Sequence, residues 1–378
     1  QFGTRIMGGA DCASARYIHT ELSKVVQRLF RKEDMPLLTY NEDDGVSVEP
    51  IYYLPIIPLV LVNGMNGIGT GFSSTVPKYS VEDIVMNLRR RLHGQGYEPI
   101  HPSYRGFQGS IVQVDTKNYM SKGVYRVVKD TTPEITELPL GKWTEDYKKF
   151  LDTLLPEEGK KKTEVKKKAT KTIVDYVNHS SDTNIHFTIK VPKGFIQSLQ
   201  WSEDPHVDGI EKYFKLTTTK GLSLTNMHLY NGKQQITKYH SINAIMDDFY
   251  EARYELYVSR KEYQVKDLQT KLCIVDAKIR FIQEVMDETI ILYRQKRESI
   301  VSVLRSKEYP CVIDKQIVDD REDPKGYDYL LKMSLYVFTE EEIHKLQEEH
   351  DTLMKHYETL QSMSIEEIWM SELDELIG

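Results

Sequence analysis

The residues best suited to chemistry lie near the start of the chain, in the run Gly8-Gly-Ala-Asp-Cys-Ala-Ser-Ala-Arg-Tyr17-Ile-His-Thr20. A free phenol ionises only near pH ~10, so tyrosine is a poor nucleophile unless its surroundings favour the phenolate. The adjacent Arg16 carries a guanidinium that stays charged and meets phosphate oxygens with two donors. It can steady the extra negative charge of a pentacoordinate phosphorus. Ala13, Ser14 and Ala15 are small enough to let a phosphodiester backbone come close. Plainer readings stand beside this one: Arg-Tyr pairs are common, most tyrosines pack, and His19 is either a general base or a surface histidine.

A second constellation joins Tyr53-Leu-Pro-Ile-Ile-Pro58 and Leu61-Val-Asn-Gly64 to Gly67-Ile-Gly-Thr-Gly71. It fails as a phosphate loop, which needs Lys-Ser/Thr after its last glycine, and the dinucleotide fingerprint spaces its glycines differently. As a tight hairpin it leaves Ile68 projecting from a thin backbone. An apolar tip of that kind can unstack a base step and kink a duplex. The competing reading buries Ile68 in a core.

These groups need elements to hold them. Leu22, Val25, Val26 and Leu29 fall on one helical face, which predicts an amphipathic helix ending near Phe30. An acidic turn follows at Asn41-Glu-Asp-Asp-Gly45. From about Val76 to Tyr239 the pattern is mixed α/β, with a helix over 81–92 opened by Ser80 and strands over 110–114 and 185–191. Seven lysines between Lys160 and Lys171 crowd a low-complexity stretch, read either as a solvated loop or as a salt-sensitive anchor for nucleic acid.

The last third changes period. Leu268, Leu272, Val275, Ile279, Ile282 and Met286 step by four and three, as a coiled-coil seam does. A helix from about Ser241 to Glu288 would run on the order of 70 Å. Ile343, Leu346, His350, Leu353, Tyr357 and Leu360 repeat the pattern, so the economical arrangement is an antiparallel pair with a small head between. A final helix starts at Ser364, where Ser364 and Glu367 form a capping box.

Composition is that of a globular protein, 40% hydrophobic and 28% charged. No run is apolar for long enough to cross a bilayer. Cys12, Cys273 and Cys311 lack disulfide or zinc spacing, which points to a reducing compartment. The net charge of -7 argues against a nucleic-acid partner only if charge is evenly spread. Gln1 falls inside what reads as a folded motif, so an earlier segment is expected.

Gln1-Phe-Gly-Thr-Arg5, Gly8-Gly9 and Ser14-Ala-Arg-Tyr-Ile18 together resemble the active-site segment of eukaryotic-type type IIA DNA topoisomerases. In that family the tyrosine at the place of Tyr17 forms a 5'-phosphotyrosyl link, and the arginine at Arg16 stabilises the transition state. The family usually has proline where this chain has Ala15 and an aromatic residue at His19, which weakens a base role for His19. The segment 53–71 is similar too, and implies that Ile68 enters and bends the cleaved duplex. Ile135-Thr-Glu-Leu-Pro-Leu-Gly-Lys-Trp-Thr144 resembles a tower element whose tryptophan, here Trp143, touches DNA; Trp143 as core is the competing reading. The run from Tyr213 to Asn226 resembles a DNA-contacting tower loop but departs in length, and assigns Lys215 and Lys220 to DNA. Gly326-Tyr-Asp-Tyr-Leu-Leu-Lys-Met333 resembles the entry to the returning coiled-coil strand.

The resemblance implies an α+β fold: the end of a winged-helix domain at 1–40, and a mixed α/β tower at 41–240. A long antiparallel coiled-coil arm follows, with its outgoing helix at 241–288 and a small helical dimer-gate head at 289–333. Residues 334–378 hold the returning and terminal helices. It also implies an ATP-dependent type II topoisomerase, homodimeric through the C-terminal gate and acting on double-stranded DNA. Mg²⁺ and ATP would both bind outside this segment, since no nucleotide motif is recognisable and Asp43-Asp44 lacks the supporting glutamate and spacing of the family's metal site. No metal ligand is assigned here. The lysine-rich insertion points to a divergent member of the kind a large DNA virus carries. Location would be nuclear for a cellular member and host cytoplasm for a viral one. The rival classes are a non-catalytic DNA-bridging coiled-coil protein and a bacterial-type subunit of the same superfamily.

Overall fold

The computed structural model describes residues 2–156, 173–199, 201–318, 323–334 and 337–378. Gln1, the lysine cluster at 160–171 and Leu335 lie outside the described residues. In chain order the elements begin with α1 (Val26–Leu29), β1 (Tyr40–Asp43), β2 (Val46–Pro50), α2 (Leu59–Asn63), β3 (Met65–Gly69), β4 (Phe72–Val76) and α3 (Val81–Leu92). There follow β5 (Ser110–Gln113), β6 (Tyr119–Lys122), β7 (Val124–Lys129), β8 (Thr132–Glu137), α4 (Thr144–Asp152), β9 (Asp175–Asn178) and β10 (Phe187–Lys190). Next come α5 (Phe195–Ser198), α6 (Gly209–Tyr213), β11 (Thr217–Thr218), β12 (Met227–Tyr230), β13 (Ile236–Tyr239) and α7 (Ile242–Met286). The chain closes with α8 (Arg297–Ser306), β14 (Cys311–Ile313), β15 (Gln316–Val318), α9 (Asp328–Leu331), α10 (Glu340–Ser362) and α11 (Ile365–Ile377). Two compact units result, one from Gln1–Leu29 and Pro55–Ala252, the other from Phe30–Leu54 and Arg253–Leu376.

The first unit is built on a four-stranded antiparallel sheet in the order β7-β8-β10-β9. Along β8 every second residue is buried, so Pro133, Ile135 and Glu137 face inward, as the period-2 geometry of a half-buried strand requires. Helix α4 packs Tyr147 and Leu151 into that core with Phe187, Ile189 and Phe214. The Tyr147 hydroxyl donates to the Phe214 carbonyl at 2.8 Å, so its buried polar end is satisfied. Helix α3 begins where expected: the Ser80 hydroxyl accepts from the Asp83 amide, and Ile84, Val85 and Leu88 are buried.

One expectation for this unit fails. The amphipathic helix ending near Phe30 shrinks to the single turn α1, and Leu22 is 82% exposed. A lone turn fixes several torsions for few hydrogen bonds, and its apolar face needs a packed partner to persist.

In the second unit α7 and α10 pair along the anticipated seam, where Val275, Ile282 and Leu346 are buried and Ile279, Ile343 and Leu353 pack on them. Their direction follows from the contacts: Lys261 donates to the Met363 carbonyl, Gln269 to the Tyr357 hydroxyl, and His350 lies 3.3 Å from Asp276. As one number rises the other falls, so the helices are antiparallel. Met286, the last seam position predicted, is instead exposed, because it is the final residue of α7.

Between the two helices sits a compact head whose core holds Phe281, Ile290, Val301, Leu304, Tyr309 and Tyr327. The resemblance implied a helical head, but this one also includes the β14–β15 hairpin. The turn between them places Asp314 and Lys315 at φ 50° and 63°. Without a glycine there, the sequence carries little hairpin signal. The capping box at Ser364 and Glu367 is present at the start of α11.

Candidate active site

Residues 3–12 form a tight loop that leads to Tyr17. Asp11 closes it by accepting from the Thr4 amide at 2.9 Å and the Thr4 hydroxyl at 2.7 Å, and the Gly9 amide donates to the Thr4 carbonyl. A side chain at Gly3 would meet the Gly9 backbone at 2.6 Å, which is why glycine stands there.

The loop is fastened to the sheet and to α4. The Arg5 guanidinium makes a two-pronged contact with the carboxylate of Glu137, which is buried and also accepts from the Gln108 and Leu138 amides. The Arg5 amide donates to the Asp182 carbonyl, and the Glu145 amide to the Ile6 carbonyl. Gly8, at φ 61°, lies so close to Trp143 that a Cβ there would sit 2.2 Å from the indole.

Three residues past Cys12 begins the turn Ala15–Tyr17, which presents the Arg-Tyr pair. Tyr17 is 70% exposed, and the Arg16 guanidinium lies 5.0 Å from its ring centroid. The phenol is therefore neither sealed in a core nor far from a cation. His19 is also exposed. Trp143 is packed on Gly8 and still 36% exposed. Beside the loop runs a cleft lined by Arg105, Phe107 and Lys142 as well as Trp143. The spacing of the sequence did not single out Arg105, Lys142 or Glu137.

The glycine-rich segment forms the antiparallel hairpin β3–β4, in which Ile68 pairs with Ser73 and Gly69 with Phe72. Gly71 takes φ 82° in the turn. Ile68 is 92% exposed, which excludes the core reading. The segment is thus a β-hairpin and not a phosphate loop opening a helix. Lys215 and Lys220 flank β11. Lys215 adopts φ 52° and holds its ammonium 4.4 Å from the Phe150 ring centroid, while Lys220 is exposed in the following turn. Among the described residues no group of three or more His, Cys, Asp or Glu side chains is placed to hold a metal ion.

Comparison with known proteins agrees along the whole length. The family model for the A subunit of DNA gyrase/topoisomerase IV matches residues 1–374. The DNA topoisomerase 2 of Penicillium chrysogenum is 35% identical over 396 residues, covering 100% of this chain and 24% of that protein. The Arabidopsis thaliana DNA topoisomerase 2 is 36% identical, with coverages of 100% and 26%. The DNA topoisomerase 2 of Acanthamoeba polyphaga mimivirus is 32% identical, with coverages of 100% and 33%. A crystal structure of the Plasmodium falciparum topoisomerase II DNA-binding, cleavage and re-ligation domain superposes with a TM-score of 0.82 at 33% identity, covering 100% of this chain and 51% of that one. The chain spans roughly a quarter of the length of the first two relatives.

Proposed function

This chain belongs to the family of DNA gyrase/topoisomerase IV A subunits, and on that premise we propose that it forms the breakage-reunion segment of an ATP-dependent type II DNA topoisomerase. The observation that carries the proposal is an exposed Tyr17 phenol with the Arg16 guanidinium against its ring.

In this reading the Tyr17 oxygen bonds to the phosphorus of a DNA phosphodiester as the bond from phosphorus to the 3' oxygen breaks. The phenolic proton is lost, the departing oxygen ends as a 3' hydroxyl, and the 5' phosphate stays on Tyr17. Reversal reseals the strand. The number of phosphoester bonds does not change, so resealing consumes no cofactor. Arg16 meets the charge that builds on the phosphoryl oxygens. Ile68 enters the base stack and bends the duplex, with Trp143, Lys215 and Lys220 on DNA alongside it.

Two copies of the chain would cut opposite strands. The antiparallel α7–α10 pair is read as an arm, and the head between them as the gate joining the copies. Mg²⁺ and ATP, which the family generally uses, would be held by parts of the full-length protein outside these residues. The 378-residue chain alone would then bind and bend DNA without cleaving it.

Denaturing a cleavage reaction of the full-length protein tests the reading. Wild type should retain DNA attached through the 5' end, and Tyr17→Phe should retain none. Trapping by neither would leave the non-catalytic bridging reading in its place, and equal trapping by both would move the nucleophile away from Tyr17. A second result would also overturn part of the assignment: metal-dependent cutting by the isolated chain.

A further inference from the structure

A two-stranded hairpin is marginal by itself in water, and the one that carries Ile68 has little packing of its own. A Cβ at Gly67 or Gly69 would meet nothing closer than 3.9 Å, and one at Gly71 nothing within 4 Å. Entering a base stack nevertheless requires an apolar tip that does not yield when it meets the duplex. Something outside β3–β4 must stiffen it.

The second hairpin, β12–β13, provides that support along β4. The Thr75 amide donates to the Asn226 carbonyl at 2.8 Å, and the His228 amide donates to the Ser74 hydroxyl at 3.1 Å. Two more contacts converge on Ser73: the Asn226 side-chain amide donates to its hydroxyl at 2.8 Å, and His228 Nδ1 lies 3.0 Å from its carbonyl. A carbonyl only accepts, so Nδ1 carries the proton in that contact. The His228 ring also meets Phe72 edge-on, with centroids 5.7 Å apart. Ser73 is the cross-strand partner of Ile68 and Phe72 that of Gly69. The last three of these contacts, two on Ser73 and one on Phe72, therefore fall on the residues directly opposite Ile68 and Gly69.

We propose that His228, with Asn226, is a positioning residue that holds the Ile68 hairpin rigid for insertion into DNA. The proposal rests on the role assigned above to Ile68. His228 touches the hairpin and acts through it.

The test compares variants of the 378-residue chain on a short duplex labelled at both ends, reading bending by energy transfer. His228→Leu keeps the bulk and removes the donor; it should lose most of the bend while DNA affinity changes only a few-fold. His228→Asn places an amide N–H near the site of Nδ1 and should restore bending. Hydrogen exchange in free protein gives a second readout, in which amides of residues 65–76 should exchange about five- to tenfold faster in His228→Leu, the equivalent of one lost hydrogen bond. Should His228→Leu fail to fold, Ser73→Ala removes the acceptor of Asn226 and should produce the same exchange change. Ile68→Ala separates the two hypotheses. If it bends DNA normally, the role of Ile68 is wrong. If it abolishes bending while His228→Leu bends and exchanges like wild type, the brace is overturned.

Discussion

At position 16 two properties are needed together: permanent charge and a flat pair of donors. Lysine supplies only the first. Arg16→Lys in the full-length protein should therefore slow DNA cleavage by about 10²–10³-fold while leaving DNA affinity within a few-fold. Single-turnover cleavage and a binding titration would measure these, and an unchanged cleavage rate would remove Arg16 from the transition state. Gly8 makes a second residue-level case, because both its φ of 61° and the indole 2.2 Å from a would-be Cβ oppose any side chain. Gly8→Ala should cost about 1–3 kcal/mol. Gly9→Ala, with open space around a φ of 84°, should cost only about 1–2 kcal/mol of backbone strain. Equal denaturation midpoints for the two variants would mean that the Trp143 contact carries no weight. The Arg16–Tyr17 pair is legible in sequence because its members are adjacent. The Arg5–Glu137 clamp joins residues 132 apart, and no local pattern marks a buried acid on β8 as the anchor of a remote loop.

Elements differ in how much of themselves they announce. Helices α7 and α10 show themselves through a long repeat, since one face must stay apolar for many turns to bury a seam. The same face logic misses that Ala277 and Phe281 of α7 serve the head core: a helix buried on two sides blurs its own period. Short elements carry less. Helix α1 fell short of its prediction, and β14–β15 turns without glycine, so propensity misleads at both. Helix α11 lies at the legible extreme, with its capping box read from Ser364 and Glu367 alone. The Ser364 hydroxyl accepts from the Glu367 amide at 3.1 Å, and the Glu367 carboxylate accepts from the Ser364 amide at 2.7 Å. Ser364→Ala should destabilise the second unit by about 1 kcal/mol, seen as a lower urea midpoint with an unchanged slope.

For the molecule as a whole, a net charge of -7 describes less than the places where charge is buried. In the second unit Arg253 and Arg260, about two helical turns apart on α7, share Asp34: Arg253 approaches it to 2.7 Å and Arg260 to 3.2 Å. Arg260 also reaches Glu372 of α11 at 2.6 Å, and the Tyr257 hydroxyl donates to the same carboxylate. Three distant stretches of chain thus meet at one buried ionic cluster. Burial by itself would raise the Glu372 pKa, but Arg260, the Tyr257 hydroxyl and Arg31 together hold it below its usual value. The sign of the pH effect follows. A carboxylate with a depressed folded pKa contributes stability in full above its unfolded pKa, about 4.3, and loses that contribution as pH falls through the lower folded value. Glu372→Gln removes the charge while leaving Arg260 buried, so it should cost about 3–5 kcal/mol at neutral pH. Its stability should then fall less steeply than that of wild type as the solution is acidified below about pH 4.3. Urea titrations of both proteins from neutral pH to the acid limit of folding read the difference between the curves. Parallel curves would mean that Glu372 titrates alike in the folded and unfolded chains, and that the cluster holds these three stretches by packing and not by charge.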